Sequence, residues 1–256
     1  MPTNKSLGQH WLHDRDILAE IADAAELTLT DTVLEIGPGL GTLTSEILRQ
    51  ANNVVAVEFD SELARKLPGQ FPGKNLTVVN HDILTYDLDT LPAGYKVVAN
   101  VPYYITSKIV QKLMTAKNKP SIAVMLVQKE VAERIAAKPG DMSILAVSAQ
   151  IYATAELGIK VPAKYFTPPP KVDSQVIILK TRDEPFVAAE DERALFRVVK
   201  AGFSAKRKKL RSSISAGLAI SKPAAEELLR HANIDPEQRA EDLSLEDWRR
   251  LARDAV

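Results

Sequence analysis

The sequence contains no cysteine among its 256 residues. This absence excludes disulfide bonds, zinc sites with thiolate ligands and cysteine nucleophiles. Long apolar runs are also missing: the longest, Ile122–Val127 and Val176–Leu179, are far shorter than the ~18–20 residues that a membrane-spanning helix needs. Since Met1–Leu12 shows no secretory hydrophobic segment, we expect a cytosolic protein without membrane contact.

Patterns typical of metal sites are absent as well. The four histidines, His10, His13, His81 and His231, show no HExxH or similar spacing, so we expect no metal. The composition, with 45% hydrophobic and 26% charged residues, is that of a folded globular protein and not of a disordered, collagenous or coiled-coil chain. The length allows one large domain, or a large domain with a small one.

Short β-branched runs alternate with helical stretches up to about residue 182, as in a parallel sheet with crossover helices. The seven predicted strands are 32–36, 53–58, 76–80, 95–100, 121–128, 153–160 and 174–180. No helical periodicity separates the last two strands, so we expect them to be antiparallel neighbours. The helices predicted after residue 182 are 191–203, 205–217, 222–231 and 245–255. We therefore expect an α/β fold: a Rossmann-like, seven-stranded, mostly parallel sheet in residues 1–184 and a small all-α C-terminal domain in residues 185–256.

A glycine-rich turn with Gly37, Gly39 and Gly41 follows the first predicted strand of the sheet. Glycines at a strand-to-helix turn let a ligand approach the backbone, and the helix N-terminus offers free N–H groups. The dinucleotide fingerprint needs a further glycine at the next position, which is Thr42. The resulting G-x-G-x-G spacing favours S-adenosylmethionine over NAD as the cofactor.

Two acidic residues follow the next two strands. Glu58 closes the second strand, where a carboxylate can accept hydrogen bonds from both ribose hydroxyls. Asp82 follows the third strand, where it can face the adenine amine of a cofactor. Because NAD enzymes also use an acid after the second strand, these two positions leave a dehydrogenase open.

The fourth strand ends in the motif Asn100-Val101-Pro102-Tyr103. Pro102 fixes its own φ and keeps Val101 extended, so the Asn100 side chain and the Val101 carbonyl point in a set direction. Two acceptors there can hold the N–H groups of an adenine N6 amine and favour a tetrahedral nitrogen, while Tyr103 stacks on the base. This motif predicts methyl transfer to a base nitrogen.

Basic residues cluster late in the chain, although the net charge is zero. Nine basic residues and no acid lie between Arg193 and Lys222. The densest part, expected at the start of the second C-terminal helix, contains Lys206, Arg207, Lys208, Lys209 and Arg211. Cations so close together can contact RNA phosphates without reading sequence.

Six motifs spread over nearly the whole chain resemble the ribosomal RNA adenine dimethyltransferase family of the KsgA type. They are Lys5–Leu12, Glu35–Gly41, Asn100–Tyr103, Gln128–Arg134, Phe166–Ser174 and Arg239–Ser244. The resemblance implies dimethylation, from S-adenosylmethionine, at N6 of two adjacent adenines. The target it implies is the hairpin loop near the 3′ end of small-subunit (16S) rRNA in an assembling ribosomal subunit.

The same resemblance implies roles for individual residues. Cofactor contacts are implied at His10, Leu12, Gly37, Glu58, Asp82 and Asn100. Contacts to the target base are implied at Tyr103 and Phe166. The N-terminal motif departs from the family at His10 and Trp11, where Asn and Phe are usual. An imidazole can donate or accept in place of the amide, and we expect Trp11 to pack in the core.

Two alternatives to the small-subunit enzyme remain open. A methyltransferase of the macrolide-resistance type, acting on large-subunit rRNA, shares the glycine turn and the Asn-x-Pro-Tyr motif; the Gln128–Arg134 and Arg239–Ser244 motifs favour the small-subunit enzyme. The second alternative is an RNA-binding assembly factor that has lost catalysis, which the intact Glu58, Asp82 and Asn100 argue against. No apolar surface stripe is evident, so we expect a monomer.

Overall fold

The computed structural model describes residues 10–255, which form two compact units. The first unit comprises the chain up to Glu133 together with Ala153–Thr181, and the second comprises Arg134–Tyr152 and the chain from Arg182 onward. Residues 5–9 of the N-terminal motif lie outside the described residues. None of the helices in the described part is long and apolar enough to cross a membrane.

The first unit contains a seven-stranded sheet and a separate pair of short strands. Its strands are β1 (Trp11–Leu12), β2 (Thr32–Ile36), β3 (Asn53–Glu58), β4 (Leu76–Asn80), β5 (Lys96–Asn100), β6 (Ile122–Gln128), β7 (Ala153–Val161), β8 (Phe166–Thr167) and β9 (Ser174–Thr181). Its helices are α1 (Arg15–Asp23), α2 (Thr42–Gln50), α3 (Ser61–Lys66) and α4 (Thr106–Thr115), and α5 (Lys129–Ile135) continues into the second unit. All seven predicted strands form, each within one residue of its expected bounds.

The strand order in the large sheet is β4-β3-β2-β5-β6-β9-β7. Strands β2 to β6 are parallel to one another, whereas β9 is antiparallel to both β6 and β7. The prediction of a mostly parallel sheet with one reversed strand is therefore confirmed. Val97, Val98 and Ala99, which are consecutive on β5, are all fully buried. Burial on both faces explains why central strands have continuous apolar sequences.

The short strands β1 and β8 pair antiparallel, with Trp11 opposite Thr167 and Leu12 opposite Phe166. The sequence does not predict this pairing, because two residues are too few to show periodicity. The pairing fixes the N-terminal segment against the chain that follows β7. It also buries Leu12 and Phe166 in the core of the first unit.

The second unit is helical, as predicted for the end of the chain. Its helices are α6 (Ile144–Gln150), α7 (Glu192–Phe203), α8 (Leu210–Leu218), α9 (Lys222–His231) and α10 (Leu245–Asp254). Trp248 is fully buried in its core, with the Phe203 ring 5.6 Å away between centroids. Gly202 lies so close to the Trp248 ring that an added Cβ would be 2.3 Å from it.

Residues 134–152 belong to this helical unit, which differs from the sequence-based division at residue 184. Ala146, Val147 and Ile151 pack in the same core as the C-terminal helices. The backbone N–H groups of Gly140 and Met142 donate to the Glu241 carbonyl at 2.8 and 3.1 Å. Long-range packing of this kind leaves no local signal in the sequence.

Helix α8 begins at Leu210, five residues later than predicted. The preceding basic residues form a turn, in which the Lys208 N–H donates to the Ala205 carbonyl at 2.8 Å. Lys209 is extended, with φ −66° and ψ 150°. Like charges one turn apart destabilise a helix, which is consistent with a turn through this basic stretch.

Candidate functional site

A cavity of about 300 Å³ opens at the carboxyl ends of the parallel strands in the first unit. Gly37, Glu58, Asp82 and Asn100, which follow or end β2, β3, β4 and β5, all line it. Strand β2 lies between β3 and β5, so the cavity is at the point where the strand order reverses. Ligands of open α/β sheets bind at such switch points. The structure therefore brings together four residues expected from separate strands.

The three glycines of the turn have different surroundings. Gly37 has φ +66°, and an added Cβ would meet nothing within 4 Å, so it leaves space on the cavity wall. Gly39 also lines the cavity, and an added Cβ there would be 2.3 Å from the Trp11 ring. Gly41 is outside the cavity wall; with φ +80°, its added Cβ would be 2.8 Å from Cδ1 of Leu67. The cofactor contact expected at Gly41 therefore has no support in the structure, because Gly41 faces packed side chains.

Glu58 is held by backbone hydrogen bonds on both carboxylate oxygens. The Gly39 N–H donates to Oε2 at 3.0 Å and the Asp60 N–H donates to Oε1 at 2.8 Å. Burial raises the pKa of Glu58, although these backbone donors lower it. Each carboxylate oxygen keeps a second lone pair. Glu58 can therefore accept further hydrogen bonds from a ligand without moving.

Asp82 and Asn100 present polar atoms to the cavity in different ways. Oδ1 of Asp82 accepts the Leu84 N–H at 2.9 Å, which fixes the turn after β4. Within residues 10–255 no hydrogen bond engages the Asn100 side chain, so its amide oxygen is available to a ligand. The Val101 N–H donates to the Leu126 carbonyl at 3.3 Å and anchors the backbone to β6. Val101 itself also lines the cavity.

Tyr103 and His10 form an aromatic part of the cavity wall. Their rings are stacked, with centroids 5.9 Å apart and planes 20° apart. His10 Nδ1 is 2.7 Å from the Pro168 carbonyl, so this nitrogen carries the donated proton. The Tyr103 hydroxyl is hydrogen-bonded to the Ser174 hydroxyl at 2.6 Å, and burial raises the pKa of Tyr103. Pro102, also on the wall, precedes Tyr103 with φ −60°.

The structure places the expected base contact Phe166 away from the cavity wall. Phe166 is 3% exposed and packs in the core with Leu12 and Val176. Pairing of β1 with β8 sets its position, and only Leu12 of the two paired residues also lines the cavity. Trp11, expected in the core, contacts the glycine turn through Gly39 and lines the cavity.

Glu35, near the end of β2, is a buried cavity residue for which the sequence predicted no role beyond its place in the Glu35–Gly41 motif. It is 1% exposed, and neither carboxylate oxygen has a hydrogen-bond partner among the described residues. Burial, together with the nearby charge of Glu58, raises the pKa of Glu35 to about 8. The Thr44 hydroxyl opposes this rise without reaching hydrogen-bond geometry. An acid inside an otherwise apolar strand was the available signal.

Two exposed aromatic residues on the cavity wall were also missed. Phe59 and Tyr104 are 62% and 63% exposed. Each directly follows a residue that the sequence analysis did identify, Glu58 and Tyr103. Exposed aromatic rings beside a cavity offer stacking surfaces for nucleic-acid bases.

The basic residues of the second unit divide into free and paired cations. Lys206, Arg207, Lys208 and Lys209 are exposed, and no ion pair involves their side chains among the described residues. Arg211 differs, because its guanidinium lies 2.8 Å from Glu237 and 3.6 Å from Glu226. The positive charge of Arg211, for which a phosphate contact was expected, is therefore already balanced by two carboxylates.

Comparison with known sequences identifies one family over nearly the whole chain. The family model for "Ribosomal RNA adenine dimethylase" matches residues 2–255. A "Ribosomal RNA small subunit methyltransferase A" of Dehalococcoides mccartyi is 42% identical over 255 residues, covering 98% of this chain and 88% of the relative. A protein of the same name from Moorella thermoacetica is 41% identical, covering 97% and 91%.

Two solved structures are similar to nearly the whole chain. The crystal structure of the 23S rRNA methyltransferase ErmE is 32% identical, with a TM-score of 0.78, covering 96% of this chain and 99% of that one. A dimethyladenosine transferase from Plasmodium falciparum is 28% identical, with a TM-score of 0.81, covering 94% and 96%.

Proposed function

Because the chain belongs to the ribosomal RNA adenine dimethylase family, we propose that it dimethylates N6 of two adjacent adenines in the hairpin loop near the 3′ end of small-subunit rRNA. It is an S-adenosylmethionine-dependent rRNA methyltransferase. The observation that carries the reaction is the convergence of Glu58, Asp82 and the unpartnered Asn100 amide on one cavity.

The cavity residues fit S-adenosylmethionine. Gly37 leaves open space on the wall, and Glu58 has acceptor lone pairs for the ribose hydroxyls. The second oxygen of Asp82 has no hydrogen bond among the described residues and suits the adenine amine. When bound, the cofactor supplies an electrophilic methyl group on a sulfonium.

Asn100 and its neighbours provide for the target amine. The Asn100 amide oxygen and the Val101 carbonyl accept the N–H groups of N6, which frees the nitrogen lone pair from the ring for an in-line displacement. Tyr103 stacks on the target base with the ring face that His10 does not cover. Burial raises the pKa of Tyr103, so its hydroxyl stays protonated and places no negative charge beside the sulfonium.

The choice of the small subunit is supported by the sequence relatives. Those at 41–42% identity share the name "Ribosomal RNA small subunit methyltransferase A", whereas ErmE is 32% identical. Flipping an adenine out of a loop costs little unstacking energy, which suits a hairpin-loop target. Methylation of an assembling subunit, in the cytosol and by a monomer, is part of the proposal; a mass well above 28.1 kDa by light scattering would contradict the monomer.

A substrate comparison tests the proposal directly. Labelled S-adenosylmethionine is supplied with undermethylated small subunits or with protein-free large-subunit rRNA, and product nucleosides are identified by mass spectrometry. We expect dimethyladenosine only on the small subunits. Transfer only to free large-subunit rRNA would identify a resistance-type enzyme, and cofactor binding without transfer to either would identify an assembly factor.

The role of Asn100 is tested by Asn100→Ala. Loss of one acceptor that acts in the transition state should lower kcat by about 10²-fold or more. Loss of the cofactor contact that the family resemblance implies at Asn100 is measured separately, as a rise in cofactor Kd. Asn53→Ala, at the opposite end of β3 from the cavity, is the matched control. Normal methylation by Asn100→Ala would remove this residue from the mechanism.

The free cations are tested by salt dependence. We expect Lys208→Gln/Lys209→Gln to reduce the slope of log Kd against log salt by about 1.4–1.8, from 0.7–0.9 per phosphate contact. Lys222→Gln/Arg253→Gln removes the same charge from exposed positions on α9 and α10 and should leave the slope unchanged. Equal slopes for both variants would exclude the 206–209 turn from RNA binding.

A further inference from the structure

Glu35 has no function in the reaction described above, yet it is a buried acid on the wall of the cavity. Its two oxygens lack hydrogen-bond donors among the described residues. Buried polar groups are almost always hydrogen-bonded, because an unpaired one costs about 1–3 kcal/mol. Glu35 is therefore a buried carboxyl without partners in the cavity that the proposed cofactor, a cation, would occupy.

The surroundings of Glu35 favour its neutral form when the protein is alone. Its strand neighbours in register are Ala56 on β3 and Val98 on β5, both apolar. The titratable group whose charge acts on it is Glu58, which also disfavours a second negative charge. Together with burial, this neighbour raises the pKa of Glu35 to about 8.

No lysine or arginine of the described residues lines the cavity. His10, His81 and Asp82 share the cavity wall, and His10 is engaged with the Pro168 carbonyl. On α2, Glu46 pairs with Arg49 at 3.0 Å, so this helix contributes no free cation to Glu35. Lys96 at the start of β5 is paired with Asp31 at 3.0 Å.

We infer that Glu35 ionises when S-adenosylmethionine binds, so that the cofactor cation is taken up with release of the Glu35 proton. At neutral pH the cofactor carries a sulfonium and an ammonium against one carboxylate, and is therefore a net cation. An opposite charge nearby favours the ionised carboxylate. The O–H bond of Glu35 breaks, its electron pair stays on the carboxylate, and the proton passes to the buffer.

This inference rests on the cofactor binding of the proposed function and gives it a pH dependence. Between the lower pKa of Glu35 in the cofactor complex and its higher pKa in the protein alone, one linked proton makes cofactor affinity rise by up to about tenfold per pH unit. Glu35 is thus a specificity-determining residue that favours a cationic occupant of the cavity. Because its carboxyl need not touch the target base, this property is independent of the RNA.

Isothermal titration calorimetry of the full chain tests the inference. Titrations of S-adenosylmethionine at pH 7, in buffers of different ionisation enthalpy, give the number of protons released. With a pKa of about 8 in the protein alone, we expect wild type to release up to about 0.9 proton more than Glu35→Gln. The cofactor's own amino group contributes equally to both and cancels. Glu46→Gln, a second buried acid outside the cavity wall, should behave as wild type.

A measurement on the wild-type protein keeps the inference testable if Glu35→Gln does not fold. The ¹³C shift of the Glu35 carboxyl should titrate above pH 7 in the protein alone and below pH 7 with saturating cofactor. The same titration in both states, or equal proton release by wild type and Glu35→Gln, would overturn the inference. Absence of any cofactor binding, measured by equilibrium dialysis, would instead overturn the proposed function.

Discussion

Gly41 and Gly37, only four residues apart, should respond differently to replacement by alanine. Both have φ in the left-handed region, at +80° and +66°, which costs an L-residue about 1–2 kcal/mol. Only at Gly41 would the new Cβ meet neighbours: Leu67 Cδ1 at 2.8 Å and Phe71 Cε2 at 3.0 Å. Both are side-chain ends, so crowding adds about 1–2 kcal/mol, the lower part of the range for overpacking.

The expected losses of stability follow from these contacts. Gly41→Ala should cost about 2–4 kcal/mol and lower the Tm of the first unit by about 4–16 °C. Gly37→Ala should cost about 1–2 kcal/mol, since it meets only strain. Its methyl group would enter the cavity, so we expect cofactor Kd to rise about tenfold or more, which corresponds to 1.4 kcal/mol.

Thermal denaturation by circular dichroism and calorimetric titration with the cofactor measure the two effects separately. Each variant is the control for the other, because they differ in what the added methyl group touches. If Gly41→Ala weakened cofactor binding without loss of stability, the conclusion that Gly41 serves packing would be refuted. If Gly37→Ala bound the cofactor normally, the space at Gly37 would have no part in the site.

Three further predictions concern neighbouring residues. Burial raises the pKa of Glu35 from about 4.5 to about 8, so the free energy of unfolding of wild type should fall relative to that of Glu35→Gln as pH rises between these values. The Tm of both proteins at pH 5 and pH 8 measures this effect. An equal Tm difference at both pH values would contradict it and show that Glu35 is ionised throughout. Ser174→Ala and Tyr103→Phe should couple by about 1 kcal/mol in a double-mutant cycle, and additive losses would contradict their hydrogen bond. Gly39→Ala forces a Cβ to within 2.3 Å of the Trp11 ring and should weaken both stability and cofactor binding; an unchanged Tm would contradict this packing.

The sequence alone determined the sheet and the part of the site that depends on it. Each of the seven strands has its own apolar pattern, and parallel strands bring their carboxyl ends to one edge. Knowing the strands was therefore enough to predict that Gly37, Glu58, Asp82 and Asn100 converge. These residues lie at fixed local positions, so no long-range packing had to be known.

Only the tertiary structure decided which side chains face the cavity and which face the core. Gly41 packs against Leu67, and Phe166 is buried by the two-residue pairing of β1 with β8. The segment 134–152 joins the helical unit through its apolar side chains, and Arg211 is paired with acids 15 and 26 residues away in the chain. Glu35 became notable only when its oxygens proved buried without partners. Local sequence cannot show such features, because each depends on residues that only folding brings into contact.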